Sequence, residues 1–447
     1  MKIAAYIQRK YAKEAYKNEC YNARLWVGLE VVIDSLRRAG YEVEYTEKNS
    51  VENYDVILVS ITADCDWLSF LEERKDWKKG DYIIICGGAG VLNIRPFLEY
   101  VDVFVFGRGE ETAPKIVKEY EKGGRYQDES VVWAKDFDLE KEYYIAQAKE
   151  LYPYKVELPN GFEYEETALG CPNKCSFCAY TWHRDYIGDG TYQMSKLSNR
   201  TTIDKTERTI ADLLKIPVEN WSDDGLVKTI GLDGMSERLR FRVNKKISSE
   251  MYRNVLRGLI KQPKTTELKV FCVIGYPTES KEDWLETLED IKAAEPETFT
   301  GEKQEKLLYH FTPFRAMPAT PAATWEMPKE NLRGLISKTL KKPNMPGNVF
   351  YQGKAFWALE SFATDHLYAV ILSALVLRGV EKDSRAVDKI INAKGFDSLR
   401  AYKKVIFLDK ILDIDNLFRK YTKEDLPTKY LKNGCKEKER ANDKARS

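Results

Sequence analysis

Residues 165–178 read Glu-Glu-Thr-Ala-Leu-Gly-Cys-Pro-Asn-Lys-Cys-Ser-Phe-Cys, and the rest of the chain is interpreted from this stretch. Its three cysteines, Cys171, Cys175 and Cys178, have the spacing C-x-x-x-C-x-x-C. Three thiolates from one short loop can bind three corners of a 4Fe–4S cluster and leave the fourth iron open for another ligand. The spacing therefore predicts an iron–sulfur site in this loop.

A zinc site is the alternative for the same three cysteines. Structural zinc normally has four nitrogen or sulfur ligands, which often come from a second C-x-x-C pair. The sequence has no second pair, and the nearest further ligand is His183, five residues after Cys178. Such a site would be crowded into one loop, which favours the cluster.

Composition and length indicate two or three domains. Among 447 residues, 71 basic side chains nearly balance 70 acidic ones, so charge gives no reason to expect a nucleic acid or an acidic membrane as a partner. The longest apolar run, residues 367–377, is too short to span a bilayer. Eight cysteines without a disulfide-like arrangement and an N-terminus without a signal-peptide pattern favour a reducing cytoplasm.

Residues 1–125 alternate β-branched runs with helical patterns, which predicts an α/β domain. Apolar strands separated by helices favour a doubly wound parallel sheet, whose ligands bind beyond the carboxyl ends of the strands. Glycine-rich turns follow two of these strands. The predicted strands are residues 2–8, 41–45, 55–60, 82–86 and 101–106, and the clearest amphipathic helix is 25–39.

The remaining chain is predicted as a linker, a partial (β/α) barrel, a helical domain and a tail. The linker is 126–160, the barrel 161–328, the C-terminal helical domain 329–430 and the basic, disordered tail 431–447, with the basic composition beginning near residue 429. Barrel chemistry belongs at the carboxyl ends of the strands. The barrel strands are predicted at 162–169, 191–197, from 229, 269–275 and 307–314, its helices at 205–215 and 281–294, and the C-terminal helices at 329–342, 353–379, 383–392 and 397–412.

The cysteine motif resembles that of the radical S-adenosylmethionine enzymes. Two later segments also fit: Asp-Gly-Met-Ser-Glu-Arg-Leu-Arg from residue 233, and Gly-Tyr-Pro-Thr-Glu-Ser from residue 275. The resemblance implies a 4Fe–4S cluster, S-adenosylmethionine on its open iron, and an electron donor such as flavodoxin or ferredoxin. The implied S-adenosylmethionine contacts are Phe177, Asp233, Ser236, Glu237, Arg240, Gly275 and Pro277.

Two points qualify this resemblance. Helix capping and ion pairing are the alternative explanation for Ser236 and Glu237. Only about fifty residues separate Cys178 from Thr229, and the family's Gly-Gly-Glu turn is absent from the sequence, so a shortened barrel is expected.

The first domain resembles the cobalamin-binding domain that precedes many of these enzymes. None of the three histidines (His183, His310 and His366) lies in it, which excludes a cobalt-ligating histidine from this domain. The loop after the third strand is expected to cover the lower face of cobalt, with Trp67 as the first choice, or else Trp67 packs against the adjacent helix. The implied cobalamin contacts are Thr62, Trp67, Gly87, Gly88, Gly107, Gly109 and Glu110.

Together these resemblances imply a cobalamin-dependent (class B) radical S-adenosylmethionine methyltransferase. It would methylate an unactivated carbon of a peptide, a protein or a small molecule. Tyr180, His183 and Tyr309 are candidate catalytic residues, with plain packing as the alternative. The competing functions are a cobalamin-assisted rearrangement or cyclisation, and a corrinoid- or redox-sensing protein without turnover.

Overall fold

The structure is a computed structural model. It describes residues 1–6, 22–47, 49–62, 66–78, 80–159, 163–188, 196–197, 207–215, 217, 221, 229–261, 268–294, 307–314, 317–325, 349–352, 355–358 and 430–433. The helices predicted at 329–342, 383–392 and 397–412 lie outside these ranges. Within them, no helix combines the length and the apolar character needed to cross a membrane.

A mainly parallel sheet forms the N-terminal part of the described chain. Its strand order is β2-β1-β3-β4-β5-β6, and only the edge strand β6 runs antiparallel to its neighbour. The predicted parallel α/β sheet is thus confirmed, but it reaches past residue 125 into the predicted linker. The elements are β1 (Ile3–Tyr6), α1 (Asn22–Arg38), β2 (Val43–Thr46), β3 (Val56–Ser60), α2 (Asp66–Arg74), β4 (Ile83–Gly87), β5 (Val103–Val105), α3 (Gly109–Glu121) and β6 (Val131–Trp133).

Alternate residues of these strands pack on opposite faces of the sheet, because successive side chains of a strand point in opposite directions. Ala4, Ile57 and Ile84 join one core with Trp67 and Phe70 of α2. On the other face, Ala5, Leu58 and Val103 pack with side chains of α1 and α3. Helices therefore cover both faces, as in a doubly wound sheet.

Short strands follow and carry the cysteine loop. The strands are β7 (Tyr143–Ile145), β8 (Val156–Glu157), β9 (Glu163–Glu165) and β10 (Lys196–Leu197). The short helix α4 (Ala179–Trp182) lies between β9 and β10 in the sequence. β9 pairs antiparallel with both β8 and β10. The prediction of a parallel barrel strand over 162–169 was therefore wrong. Tyr164 is buried between exposed Glu163 and Glu165, an alternation typical of a strand with one solvated face.

A second sheet contains the later strands. The order is β11-β12-β13-β14-β16-β15 among the described residues, with β15 antiparallel and all other neighbours parallel. Its elements are β11 (Glu207–Thr209), α5 (Ile210–Leu213), β12 (Thr229–Gly231), α6 (Glu237–Arg242), α7 (Ser249–Lys261), β13 (Leu268–Ile274), α8 (Lys281–Ala294), β14 (Leu307–Pro313), β15 (Val349–Gln352) and β16 (Ala355–Ala358).

Helices cover one face of the second sheet. Val270 and Cys272 of β13 are buried in one core with Leu256 of α7 and Trp284 of α8. Phe271, which points to the opposite face, is 39% exposed. Strand β13 therefore has one packed side and one partly accessible side.

Three predicted elements were wrong in part. The helix predicted at 205–215 begins as strand β11, and residues 355–358 of a predicted helix form β16. Residues 430–433, assigned mainly to the tail, are ordered: β17 (Leu431–Asn433) pairs parallel with β7. Tyr430 is buried beside it, and its hydroxyl donates a 2.9 Å hydrogen bond to Asn93 Oδ1.

Candidate functional site

The cysteine loop lies where the chain leaves the carboxyl ends of β12, β13 and β14. Ser176 N donates to Val243 O at 2.8 Å, and Asn244 Nδ2 donates to Lys174 O at 2.8 Å. Ala322 N, in the segment after β14, donates to Ser176 O at 3.0 Å. Segments that are far apart in sequence thus meet around the cysteines, at the edge where parallel sheets place their ligands.

Local hydrogen bonds give the loop its shape. Trp182 Nε1 donates to Cys175 O at 2.8 Å, and Thr181 Oγ1 donates to Cys171 O at 2.8 Å. Gly170 has φ +70°, and a Cβ there would lie 2.7 Å from Asp185 O. The short helix α4 therefore folds back to close the loop, and glycine is required where the loop begins.

The three thiols are electrostatic neighbours and are not in disulfides. Burial raises the pKa of Cys175 to about 12; nearby Lys245 opposes this rise, while Asp233, Cys178 and Cys171 add to it. Burial also raises the pKa of Cys178. Since metals bind the thiolate, iron binding has to replace these protons, and a positive charge nearby assists it.

The donor set fits a 4Fe–4S cluster. Each cysteine of such a cluster binds a different iron, so the sulfurs do not converge on one ion. In the described ranges, no group of three or more His, Cys, Asp or Glu side chains could hold a single metal ion. His183, the fourth ligand of the zinc alternative, is buried, and its Nε2 lies 2.7 Å from Pro318 O. The fourth ligand of the zinc alternative is therefore already engaged in a hydrogen bond away from the cysteines.

An ion pair lies beside the thiols. Lys245 Nζ contacts Asp233 Oδ2, and Lys245 is buried. Burial opposes the ammonium charge, but Asp233, Cys175 and Cys171 together outweigh it and raise the pKa of Lys245. The charged pair is thus within electrostatic reach of all three cysteines: Lys245 interacts with Cys171 and Cys175, and Asp233 with Cys175 and Cys178. The predicted site residues did not include Lys245, although it follows Arg240, the end of the predicted segment, by only five residues.

The turn after β13 is built around Glu279. Its Oε2 accepts hydrogen bonds from the backbone N–H groups of Gly275 and Tyr276, the latter at 3.0 Å. Burial raises the pKa of Glu279 to about 7, although these two hydrogen bonds oppose the rise. Pro277 O accepts a 2.9 Å hydrogen bond from Arg242 Nη1. Gly275 and Pro277 therefore lie at this edge of the sheet.

Aromatic rings line the same region. Phe177 lies 6.1 Å from Tyr276 between ring centroids, and Tyr276 lies 5.1 Å from Phe314. Trp325 continues the cluster at 5.9 Å from Phe314, with the Arg242 guanidinium 5.0 Å above its ring. The predicted adenine contact, Phe177, thus belongs to an aromatic cluster whose flat faces suit a planar base.

Strained backbone concentrates at this edge. The non-glycine residues with positive φ in the described chain are Lys174, Asp233, Asn244, Thr278 and Ala319. All five belong to the cysteine loop or to the segments that follow β12, β13 and β14. Left-handed backbone at residues other than glycine is uncommon and clusters at functional sites, so its position supports a ligand site here.

Three other predicted contact residues form hydrogen bonds in and around α6. Ser236 caps α6 by accepting from Leu239 N at 3.3 Å and donates to Asp283. Glu237 Oε2 accepts from Ser249 N at 2.7 Å. Arg240 is fully buried and donates to Ile247 O at 2.8 Å. Of the predicted Asp233, Ser236, Glu237 and Arg240, only Asp233 lies beside the thiols, and the capping alternative accounts for Ser236.

The candidate catalytic residues have different surroundings. Tyr180 is partly exposed on α4, with the Arg184 guanidinium 4.8 Å from its ring centroid. Burial lowers the pKa of His183 to about 4, and its bond to Pro318 O ties α4 to the segment after β14. Tyr309 lies on β14 in register with Val270. The geometry therefore gives His183 a packing role and leaves the catalytic assignments as predictions.

The predicted cobalamin contacts lie around the first sheet. Trp67 is fully buried, stacks on Phe97 at 3.8 Å and donates to Gly90 O at 3.2 Å. The packing alternative for Trp67 is therefore the one observed, since a side chain inside the core cannot cover a ligand at the loop surface. Thr62 is exposed, and its backbone N–H donates to Asp66 Oδ2 at 2.8 Å.

The glycine turns of this sheet hold neighbouring backbone segments together. Gly88 has φ +111°, and a Cβ would lie 2.5 Å from Ile61 O. At Gly107, with φ +96°, a Cβ would lie 2.3 Å from Ala146 O. Gly87 and Gly109 border these turns, and Glu110 pairs with Arg108 at 2.6 Å. Close backbone packing is thus a sufficient reason for both positive-φ glycines.

A search of the curated proteins found no match. Two solved structures of the cobalamin-dependent S-adenosylmethionine radical enzyme OxsB align weakly. The form with aqua-cobalamin bound is 11% identical with a TM-score of 0.22, over 96% of this chain and 57% of that chain. The apo, selenomethionine-labelled form is 12% identical with a TM-score of 0.21, over 90% and 55%.

This chain spans a little over half the length of the OxsB chains. The family comparison is more informative. Residues 16–139 match the family model described as radical SAM proteins, N-terminal. This region comprises α1 through β6, so it contains most of the first sheet. Over residues 16–139, this chain is therefore similar to the N-terminal region of radical SAM proteins.

Proposed function

We propose that this chain is a radical S-adenosylmethionine enzyme whose 4Fe–4S cluster is bound by Cys171, Cys175 and Cys178. One observation carries the proposal: the cysteine loop contacts the segments that follow β12, β13 and β14 at one sheet edge. The match of residues 16–139 to an N-terminal domain of radical SAM proteins supports it independently.

When bound, the cluster supplies one electron to S-adenosylmethionine at the open iron. The residues of this chain provide the surroundings. Lys245 places a positive charge near the thiolates, which favours their ionised form. Phe177, Tyr276 and Phe314 offer apolar faces to the adenine, and the buried turn held by Glu279 fixes the backbone next to them.

We further propose that the reaction is methylation of an unactivated carbon, with cobalamin as the methyl carrier at the first sheet. The resemblance of this domain to cobalamin-binding domains supports the assignment, and its two glycine turns follow β4 and β5 at the carboxyl edge. The substrate is a peptide, a protein or a small molecule. A cytoplasmic setting and a flavodoxin- or ferredoxin-type electron donor belong to the same proposal.

The test is anaerobic reconstitution of the full chain with iron, sulfide and hydroxocobalamin, followed by reduction in the presence of S-adenosylmethionine. We expect both 5′-deoxyadenosine and S-adenosylhomocysteine, quantified by liquid chromatography and mass spectrometry. 5′-Deoxyadenosine alone would support rearrangement instead, because methyl transfer is what consumes the methyl group of S-adenosylmethionine.

A protein that binds cluster and cobalamin but forms neither product would support sensing. The matched controls are Cys178→Ala, which removes one proposed ligand, and Cys272→Ala, which removes a buried thiol of β13. We expect the first to abolish 5′-deoxyadenosine and the second to retain it. Equal activity of the two variants would contradict the cluster assignment.

A further inference from the structure

The turn after β5 reaches toward the cysteine loop. Arg108 of this turn is largely buried, and its Nη1 lies 3.3 Å from Glu166 Oε2 and 3.5 Å from Glu166 Oε1. Glu166 follows β9 and precedes Cys171 by five residues. A residue of the first domain is thus paired with the strand end that leads into the cysteines.

The pair is well enclosed and has further partners. The side chains of Arg108 and Glu166 are only 10% and 8% exposed. Glu166 Oε2 also accepts a 2.7 Å hydrogen bond from Tyr152 N, and Arg108 Nε lies 2.6 Å from Glu110 Oε1. Removing one partner of a buried ion pair destabilises a protein much more than removing one partner of an exposed pair, because the remaining charge is left buried without compensation.

A second contact holds the other end of the cysteine segment. Gln147 Nε2 donates to His183 O at 3.2 Å, and to Ile145 O at 3.0 Å. The neighbouring Ala146 N donates to Phe106 O at 2.9 Å, next to the Arg108 turn. The two ends of the cysteine segment are therefore both linked to the turn after β5. Glu166 pairs directly with Arg108, and His183 is linked through Gln147, whose neighbour Ala146 bonds to Phe106.

We propose that Arg108 is a positioning residue for the iron–sulfur site, acting through Glu166 on the geometry of the cysteine loop. The inference rests on the proposed function. It assigns the Gly-Arg-Gly-Glu turn a role besides cofactor binding: its arginine fixes the position of Glu166, just before the cysteine loop. Gly107 allows this, since any side chain there would collide with Ala146 and displace the turn.

The experiment compares reconstituted wild-type protein with Arg108→Gln, Arg108→Lys and Glu166→Gln. The matched control is Arg125→Gln, which removes an exposed arginine that pairs with Asp136 at 3.0 Å. The readouts are iron per chain, the rate of cluster loss to a ferrous chelator, and the electron paramagnetic resonance spectrum of the reduced cluster.

We expect Arg108→Gln and Glu166→Gln to lose the cluster about three- to tenfold faster, as coupling through a buried pair would produce. Their spectra should shift alike, Arg108→Lys should be intermediate, and Arg125→Gln should match wild type. If Arg108→Gln fails to fold, Glu166→Gln decides the question. Wild-type rates and spectra in both neutralising variants would overturn the inference, whereas a wild-type chain that binds no cluster would overturn the proposed function itself.

Discussion

The Lys245 ammonium and the Asp233 carboxylate form an ion pair beside the cysteine loop, in which Lys245 is buried and Asp233 largely so. Both groups interact electrostatically with Cys175. The two groups carry opposite charges and lie next to each other. Each should therefore shift the reduction potential of a nearby cluster in the opposite direction to the other.

Lys245→Met should make the reduction potential of the cluster more negative, and Asp233→Asn should make it more positive. The expected shifts are on the order of tens of millivolts, because one unit charge is removed close to the cluster. Potentiometric titration followed by electron paramagnetic resonance measures both. Lys246→Met, at the exposed neighbouring position, is the control and should leave the potential unchanged. Shifts of the same sign in both variants would contradict this electrostatic role.

Removal of each cysteine ligand should lower iron content, while removal of a core thiol should not. Cys171→Ala, Cys175→Ala and Cys178→Ala each delete one proposed iron bond. Cys272→Ala leaves only a small cavity in the core of the second sheet, at a cost of about 1 kcal/mol in unfolding free energy. Iron and sulfide analysis after anaerobic reconstitution distinguishes them. Comparable iron loss in Cys272→Ala would show that the assay reports on folding alone.

Glu279 should make stability depend on pH. Its pKa in the folded protein is about 7, raised by burial from 4.5. The folded state therefore holds this proton more tightly than the unfolded state. Its stabilising contribution is full below about pH 4.5 and is lost as the pH rises through about 7.

Glu279→Gln removes the titration while keeping an oxygen for the two backbone N–H groups. The difference in unfolding free energy between variant and wild type should shift in favour of the variant as the pH rises from 5 to 8. The total shift should be up to about 3 kcal/mol. Denaturant unfolding at several pH values measures this difference. A constant difference across that range would contradict the assigned pKa.

Gly88 and Gly123 allow two requirements for glycine to be measured apart: a positive φ angle, and the lack of space for a side chain. Both have positive φ, but a Cβ on Gly123 meets nothing within 4 Å, whereas one on Gly88 lies 2.5 Å from Ile61 O. Gly123→Ala should cost only the conformational term of about 1 kcal/mol. Gly88→Ala should cost at least twice that, because Ile61 has to move. Thermal unfolding compares the two variants, and equal losses would show that the Ile61 contact relaxes freely.

The first sheet was predictable because its strands are continuous apolar runs separated by helices. The second sheet was predictable at β13 and α8, where the apolar pattern is equally clear. The hairpin of β15 and β16 was missed, although Val349–Gln352 and Ala355–Ala358 are rich in aromatic residues and flank Gly353, a typical hairpin pattern. The helix predicted at 353–379 began too early, because residues 355–358 of that range form β16.

The candidate site could be predicted in part. The cysteines and the Gly275 turn follow from local motifs, and they meet as expected. The pairing of Arg108 with Glu166 could not be predicted, because it depends on how two distant segments pack. Trp67 and Ser236 show the reverse: each lies in a motif that suggests ligand contact, yet packing and helix capping account for their surroundings.

Tyr430 and Asn93 are hydrogen bonded across 337 residues of sequence, and this has a consequence for biosynthesis. A ribosome delivers the chain from its N-terminus, and domains generally fold in that order. The first sheet and the cysteine loop are therefore synthesised before β17 emerges to pair with β7. Iron delivery in the cell thus has an interval in which the thiols are already made and β17 is not yet in place.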